Sequence, residues 1–172
     1  VIITRADQLL LSKKVSYNKS EQLFTAYGNV EISQPGVTFM GDKGSYQSET
    51  KQGQLESSSY VIAQRPAQGK ANQLSFKPGH IAMQNPTYSS CPASAEDWVL
   101  KASEMNLYTE QGYGDGKGVV VYFKGIPFIY TPYLRFPLND DRTSGFLLPE
   151  VAYSTHNGAD ISTPYYWNIA PN

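Results

Sequence analysis

The stretch from Gly125 to Asn172 constrains the fold more than any other part of this sequence. Hydrophobic and polar residues alternate through it as they do in β-strands, yet it holds six of the 11 prolines, with nine aromatic residues and no lysine. Proline has no backbone N–H to donate to a β ladder, so it is normally confined to sheet edges, strand starts and bulges. The stretch therefore predicts β-sheet with locally weak pairing, and the rest of the chain predicts the regular β scaffold that leads to it.

Composition narrows the class of protein. A chain of 172 residues with 14 glycines, 11 prolines and 13 tyrosines favours many short strands and turns, in one domain or in one domain with part of a second. The formal net charge is −1 and the longest basic run is Lys13-Lys14, which argues against a nucleic-acid partner. No apolar run is long enough for a transmembrane helix, although strands of an outer-membrane barrel would leave no such run.

Both ends of the sequence have the character of cut ends. The chain begins at Val1 without a methionine or a signal-peptide pattern, and it ends at Asn172 directly after a strand-like run. We therefore expect a mature or excised fragment.

A short motif repeats through the scaffold. Each copy has a small residue, two polar residues and then usually an apolar residue, and the copies begin at Ala6, Gly41, Ala71 and Ala102. Repetition at a period of about 20 to 50 residues is typical of stacked supersecondary units. We interpret each unit as one or two hairpins, with the motif at the entry to a strand. Unrelated hairpins of similar length are the alternative.

The sequence contains no constellation of catalytic or metal-binding residues. His80 and His156 each lie beside a glycine-containing turn and far from any Gly-x-Ser-x-Gly motif, so we interpret both as solvated turn residues. The densest charged group, 140–142, favours an inter-strand turn over a calcium site. We expect no enzymatic activity and no cofactor. Tyrosine-rich β surfaces can bind sugars, so a carbohydrate-binding or carbohydrate-active β-solenoid is the alternative function, and an adhesin-like β domain is a third.

Cys91 is the only cysteine, and two interpretations of it stay open. It is either a small buried hydrophobe or one half of a disulfide whose partner lies outside this chain.

The alternation is sharpest after Ser144. One face of each predicted strand is apolar with aromatic residues near its ends, and the other is more polar, which is typical of an outer-membrane strand with lipid outside and lumen inside. The first apolar face comprises Leu147, Pro149, Val151 and Tyr153, and the second comprises Ile161, Thr163, Tyr165 and Trp167.

Matching these faces predicts the register of the closing hairpin. A three-residue loop, His156-Asn157-Gly158, with Gly158 in the left-handed conformation, brings the apolar faces together. The prolines would then remove neighbouring ladder bonds, at a cost on the order of 1 kcal/mol for each lost bond. The expected pairs are Tyr153–Ile161, Val151–Thr163, Pro149–Tyr165 and Glu150–Pro164.

These residues closely resemble the LPS-assembly protein LptD family, also called organic solvent tolerance proteins. The specific motifs are RTSGFLLP, PYYWNIAPN and an upstream YSSCP followed by a DW strand. The resemblance is strong from Tyr88 to Asn172. It is weaker from Val1 to Thr87, where a repeat of the AxGNVEI type is similar to the periplasmic β-jellyroll that the family shares with LptA.

The resemblance implies an all-β fold and a division of the chain. It implies an OstA/LptA-like periplasmic β-jellyroll of stacked antiparallel hairpins at 1–124, a linker at 125–144, and the first two strands of an outer-membrane β-barrel at 145–172. It also implies that the protein lies in the cell outer membrane, with this chain mostly in the periplasm.

The same resemblance implies function and partners. The family inserts lipopolysaccharide into the outer leaflet of the outer membrane. The implied partners are lipopolysaccharide, the periplasmic bridge LptA, the lipoprotein plug LptE, and the barrel-assembly machinery during biogenesis. The resemblance further implies a lateral gate weakened by Pro149 and Pro164, and a disulfide from Cys91 to a cysteine outside this chain.

Alternation and resemblance together predict an apolar groove. The acyl chains of lipid A would lie in it, while sugars and phosphates stay outside. If the sheet walls close tightly, the same residues form a core instead. The predicted lining residues are Val30, Ile32, Phe39, Leu74, Phe76, Ile81, Met83, Trp98 and Leu100.

Overall fold

The computed structural model describes residues 1–5, 8–34, 36–63, 67–91, 97–138, 145–146, 150–154, 158–162 and 165–166. All regular secondary structure in these ranges is β-strand, which confirms the predicted all-β class. Within the same ranges, no helix is long and apolar enough to cross a membrane.

Six of the described strands have 11 or 12 residues, and the other eleven have two to five. In chain order they are β1 Ile2–Arg5, β2 Gln8–Leu11, β3 Lys14–Asn18, β4 Leu23–Gln34, β5 Val37–Gln47, β6 Gln52–Ile62, β7 Ala67–Lys77, β8 His80–Gln84, β9 Thr87–Tyr88, β10 Trp98–Lys101, β11 Glu104–Tyr108, β12 Tyr113–Phe123, β13 Ile126–Pro137, β14 Gly145–Phe146, β15 Glu150–Ser154, β16 Gly158–Ser162 and β17 Tyr165–Tyr166.

Thirteen of these strands form one antiparallel sheet, in which β4 to β8 pair in sequence order. Tight turns join the hairpins. Pro78-Gly79 connects β7 to β8, with Gly79 at φ +72°. Lys124 and Gly125, at φ +48° and +81°, connect β12 to β13 in the manner of a type I′ turn.

The inward–outward alternation slips by one residue near the middle of the long strands. In β7, Ala71 and Leu74 are both buried, whereas Asn72 and Gln73 between them are not. An extra residue of this kind bends a strand and increases its twist. Two buried residues enclose two less buried ones in the same way at Leu55-Glu56-Ser57-Ser58, Met83-Gln84-Asn85-Pro86, Ala102-Ser103-Glu104-Met105 and Gly116-Lys117-Gly118-Val119.

The slips lie side by side and form a continuous line across the sheet, which we call the crease. Hydrogen bonds between neighbouring strands run along the crease. The backbone N–H groups of Lys13, Asn85 and Ser103 donate at 2.9–3.0 Å to the carbonyls of Gly28, Ser103 and Lys117, respectively. The ladder registers place the remaining members between these bonds. The crease comprises Lys13, Gly28, Asn29, Asp42, Ser57, Asn72, Asn85, Ser103, Gly118 and Pro132.

Turn-forming residues make the crease possible. Gly28, Asn29, Ser57, Asn85 and Gly118 all have positive φ, between +47° and +73°. Glycine adopts this left-handed conformation readily because it lacks the Cβ that is crowded there, and asparagine tolerates it because its short polar side chain can hydrogen-bond locally. Side chains complete the bonding, since the hydroxyls of Ser58 and Ser103 donate to the Ala71 and Lys117 carbonyls at 3.2 and 2.8 Å.

The sequence repeat coincides with the crease. Its first and fourth residues both point inward, so it marks a slip in the alternation. The prediction that the motif enters a strand is correct for Ala102, which precedes β11. It is wrong for Gly41 and Ala71, which lie inside β5 and β7, because the strand continues through the bend. The copy at Ala6 begins outside the described residues.

The crease divides the sheet into two walls. The first wall consists of β1, β2, β9 and β10 with residues 30–34, 37–41, 58–62, 67–71, 119–123 and 126–131. The second wall consists of β3, β8 and β11 with residues 23–27, 43–47, 52–56, 73–77, 113–117 and 133–137.

Both walls contribute to one hydrophobic core beside the crease. Tyr60 and Ala71 come from the first wall, and Leu55, Leu74 and Met105 come from the second. Leu55 is fully buried, at 0% exposure, and Leu74 is 1% exposed. Removing such a leucine side chain typically costs about 2 to 5 kcal/mol. The core therefore holds the walls together along the crease.

Much of the predicted linker at 125–144 is part of the sheet. Ile126–Pro137 forms β13 and pairs with β12 from Phe123–Ile126 to Tyr113–Pro137, so the linker prediction is wrong for these residues. A strand can form here despite its prolines because β13 lies at a sheet edge. Among the described strands it pairs only with β12. An edge strand leaves one side without ladder bonds, and prolines are tolerated there.

The C-terminal strands form two short ladders, β14 with β17 and β15 with β16. Their antiparallel order confirms the predicted hairpin, but the predicted register is wrong by two residues. Tyr153 pairs with Ala159 and Glu150 pairs with Ser162. The pleat excludes shifts of one residue, whereas registers two residues apart match the faces equally well. The predicted loop residues His156 and Asn157 lie outside the described residues.

Glycine at the crease should stabilise the chain where a side chain is now strained. Ser57 lies at φ +51°, and Ser57→Gly should raise the free energy of unfolding by on the order of 0.5 to 1 kcal/mol. Ser59, two residues further along β6, is the matched control. Ser59→Gly should lower the free energy of unfolding, and urea denaturation would measure both. Equal losses in the two variants would contradict the strained crease.

Candidate functional site

A narrow apolar pocket of about 220 Å³ lies between the two walls, next to the core. Residues from both sides of the crease line it, so it is a slot between walls. Ile32 and Phe39 line it from the first wall, and Leu55, Leu74, Phe76 and Ile81 line it from the second. Its polar members, Lys77, His80 and Thr109, lie at the ends of β7, β8 and β11, away from the crease.

All nine residues predicted to line the groove lie on the inner face, but they are divided between the slot, the core and strand β10. Five of them line the slot, namely Ile32, Phe39, Leu74, Phe76 and Ile81.

The other four predicted residues do not line the slot. Val30 and Met83 are buried in the core at 1% and 4% exposure. Leu100 and Trp98 lie on β10 in the first wall, where Leu100 packs against the core and the Trp98 ring lies 5.8 Å from that of Tyr88.

Leu55 lines the slot but is absent from the predicted set. Its neighbours in β6 are polar, and period-two alternation alone gave it no weight. Its cross-strand partners are Gly44 and Leu74, so it fills the space that the glycine leaves empty. The spacing from Leu55 to Ser58, equal to that of the repeat motif, is the signal that marks it as inward.

Glycines shape the inner face by letting aromatic rings lie flat across them. Gly53 pairs with Phe76, and Gly114 pairs with Phe136. A Cβ on Gly53 would meet the Phe76 ring and the Ser45 carbonyl oxygen, the latter at 2.8 Å, and one on Gly114 would lie 2.6 Å from Phe136 Cζ. The rings thus occupy the volume that a side chain would need, which fixes Phe76 in the slot wall.

The outer face of the second wall carries a hydrogen-bonded polar ladder. Asn106 Nδ2 donates to Glu104 Oε1 and Asp115 Oδ1, both at 3.1 Å, and Asn106 Oδ1 lies 3.2 Å from His80 Nε2. Lys117 Nζ donates to Glu104 Oε2 at 3.1 Å. These polar side chains are therefore hydrogen-bonded to one another.

A second ladder of rings runs beside the first. Ring centroids are 4.9 Å apart for His80–Tyr108 and 4.8 Å apart for Tyr108–Tyr113, and the Arg135 guanidinium lies 3.8 Å above the Tyr113 ring. This stack joins β8, β11, β12 and β13, so it stiffens the outer face across four strands.

The titration of Glu104 bears on the carbohydrate-active alternative. Hydrogen bonds from Asn106 and Lys117 hold the pKa of the Glu104 carboxyl below its ordinary value. A glycosidase general acid needs a carboxyl pKa that is raised, so Glu104 is unsuited to protonate a leaving group. In the described ranges there is no group of three or more His, Cys, Asp or Glu that could hold a metal ion.

Cys91 is half-buried at the end of the β9 region and is a free thiol here. Its backbone N–H donates to the Ser89 hydroxyl at 3.1 Å, and its carbonyl accepts from Gln68 Nε2 at 3.0 Å. These bonds hold the backbone at Cys91. The predicted gate residues Pro149 and Pro164 lie outside the described residues.

Fold and slot together define a class of protein, an all-β jellyroll-type sheet with an apolar slot between its walls. Sequence comparison shows which proteins the chain is similar to. The chain is 35% identical over 176 residues to the LPS-assembly protein LptD of Albidiferax ferrireducens, covering 99% of this chain and 22% of the relative. The LptD of Acinetobacter baylyi is 33% identical over 174 residues, covering 100% and 21%. This chain is therefore similar, along almost its whole length, to one segment of these two LptD proteins.

The remaining comparisons add little to this similarity. The chain spans about a fifth of the length of these relatives. A solved structure of LptH, the LptA-homologous periplasmic component of the lipopolysaccharide transport device of Pseudomonas aeruginosa, has a TM-score of 0.49 and 7% identity, covering 59% of this chain and 76% of that one. Similarity at this level carries no argument. No protein-family model matches the chain.

A methyl group on Gly53 should disturb the slot directly. Gly53→Ala would push the Phe76 ring inward and should lower the free energy of unfolding by about 1 to 3 kcal/mol. Gly116→Ala is the matched control. A Cβ on Gly116 would lie 3.1 Å from Val119 Cγ2, and the other atoms that it would meet lie at 3.8 Å or more. Thermal denaturation of both variants would measure the difference, and equal stability would contradict the assigned contact.

Burial of Tyr60 should make the chain sensitive to alkaline pH. Burial raises the pKa of its hydroxyl above the ordinary value, and the hydroxyl donates to the Thr87 carbonyl at 2.8 Å. The neutral form is favoured in the folded state, so this contribution is complete below the unfolded pKa of about 10 and is lost as pH rises above it. Tyr60→Phe should show a smaller loss of stability between neutral and strongly alkaline pH. Parallel curves for the two proteins would contradict this.

Proposed function

We propose that this chain carries lipopolysaccharide within an LptD-type protein, with acyl chains held between the two walls and no chemical change to the lipid. The single observation that supports the proposal most strongly is the slot itself. Six apolar side chains from opposite sides of the crease converge there, in a homologue of proteins named for LPS assembly.

The size of the slot determines how it would work. Its volume of 220 Å³ is below the roughly 300 to 1,000 Å³ typical of small-molecule pockets. It therefore accommodates a segment of one acyl chain in the observed conformation, and a complete lipid requires the walls to separate. The core beside the crease would act as the hinge, since its residues are fully buried, whereas Ile32, Phe39, Phe76 and Ile81 are only partly buried.

Polar groups at the ends of the strands suit the other part of the ligand. Lys77 and Thr109 lie where the slot meets solvent. A phosphate or sugar placed there keeps its hydration, whereas an acyl chain in the slot loses contact with water at a gain of about 0.8 kcal/mol for each buried CH₂. The ligand would thus be oriented with its head group outside.

The wider assembly follows from the same proposal. The protein would lie in the cell outer membrane with most of this chain in the periplasm, residues 145–172 would begin the barrel, and LptA would deliver the lipid. LptE would plug the barrel, and the barrel-assembly machinery would insert it. Pro149 and Pro164 would weaken a lateral gate, and Cys91 would form a disulfide with a cysteine outside this chain.

Photo-crosslinking of neighbouring residues tests the slot. Benzoylphenylalanine at Phe39, inside the slot, should capture lipopolysaccharide in cells that make the full-length protein. Met40, the next residue in β5, is 39% exposed on the outer face and is the matched control. The pair Phe76 and Ser75 repeats the test on the second wall. Equal capture at inner and outer positions would contradict the proposal.

A further inference from the structure

The hairpin that joins β12 to β13 exposes large apolar side chains where a turn is normally polar. Phe123 is 54% exposed, Ile126 is 69% exposed and Phe128 is 50% exposed. They flank the two turn residues Lys124 and Gly125. Exposed apolar clusters of this kind mark a surface that meets another apolar phase. We call residues 123–128 the tip.

The backbone of the tip gives it a fixed, protruding shape. Lys124 and Gly125 both have positive φ, and a Cβ on Gly125 would meet nothing within 4 Å. The Lys124 N–H donates to the Asp97 carbonyl at 2.7 Å. The ladder slips between Val121 and Tyr122, so Phe128 is the extra residue of a bulge. The turn is thus tight and convex, and one hydrogen bond anchors it to the start of β10.

Cationic and aromatic groups accompany the apolar side chains. Lys124 Nζ lies 5.8 Å from the Phe123 ring centroid, and Lys101 Nζ lies 4.7 Å above the Tyr122 ring. Tyr130, further along β13, is 68% exposed. Asp97 is the acidic residue beside the turn. Aromatic residues with nearby lysines are typical of segments that lie at the membrane–water interface, where the ammonium groups meet lipid phosphates.

We propose that the tip inserts into the phospholipid head-group region of a membrane leaflet and so fixes this end of the sheet against the bilayer. A convex apolar turn with a lysine at its apex suits a lipid interface better than a protein groove, because the ammonium stays hydrated while the flanking side chains are buried. Charge complementarity favours anionic phospholipid. The inference rests on the proposed outer-membrane location, and it adds a contact that the carriage of lipid between the walls does not require.

Site-specific photo-crosslinking in the full-length protein tests this contact. Benzoylphenylalanine would replace Ile126 or Phe128, neither of which belongs to the core or the slot, and intact cells would be illuminated before mass spectrometry of the adducts. Phospholipid adducts should form at both positions at least fivefold more often than at Thr50, an exposed residue of the β5–β6 turn. Lys124→Glu should reduce the yield of phosphatidylglycerol adducts at position 128 severalfold.

Three results would overturn the inference. They are adducts with protein alone, adducts with lipopolysaccharide instead of phospholipid, and a phospholipid yield no higher than at Thr50. A parallel experiment with the probe at Phe76, inside the slot, distinguishes the two proposals. Lipopolysaccharide adducts at Phe76 without phospholipid adducts at the tip would reject the tip contact alone, whereas the reverse would reject the slot alone.

Discussion

The slip in strand alternation at the crease determines the shape of this sheet. A strand presents one face to a core only while its residues alternate, and here the alternation slips in strand after strand at neighbouring positions. Because the slips form one line, a single sheet bends into two walls whose inner faces share a core. Turn residues with positive φ, such as Asn29, Ser57 and Asn85, are what let strands continue through the bend.

This arrangement gives the inner face a gradient of packing. Beside the crease, Val30, Leu55 and Leu74 are almost completely buried and hold the walls together. Further from it, the other apolar side chains that line the slot are only partly buried. Rings lying over glycines keep the walls thin enough for a slot to exist. Packing is therefore tight along one line and looser on either side of it, an arrangement that suits the proposed carriage of a lipid chain.

Sequence reasoning was most accurate where period-two alternation applies, and it failed where backbone geometry decides. It predicted the all-β class and the inner face of all nine groove residues, because a pleated strand leaves little choice of side. It could not tell which of the nine residues fill the core and which line the slot. That Val30 fills the core and Phe39 lines the slot depends on their distance from the crease. It missed Leu55, whose neighbours are polar, and the linker that the resemblance implied at 125–144 is wrong for β13. The register of β15 and β16 was wrong by two residues because matched faces do not fix it.

The central claim is that the two walls separate about the crease to admit an acyl chain. Distance measurement by double electron–electron resonance tests it most directly. Genetically encoded spin labels would be placed at Val61, exposed on the first wall, and at Lys77, exposed on the second, in the full-length protein. Addition of lipopolysaccharide should lengthen the distance between the labels. An unchanged distribution in the presence of bound lipopolysaccharide would contradict the account.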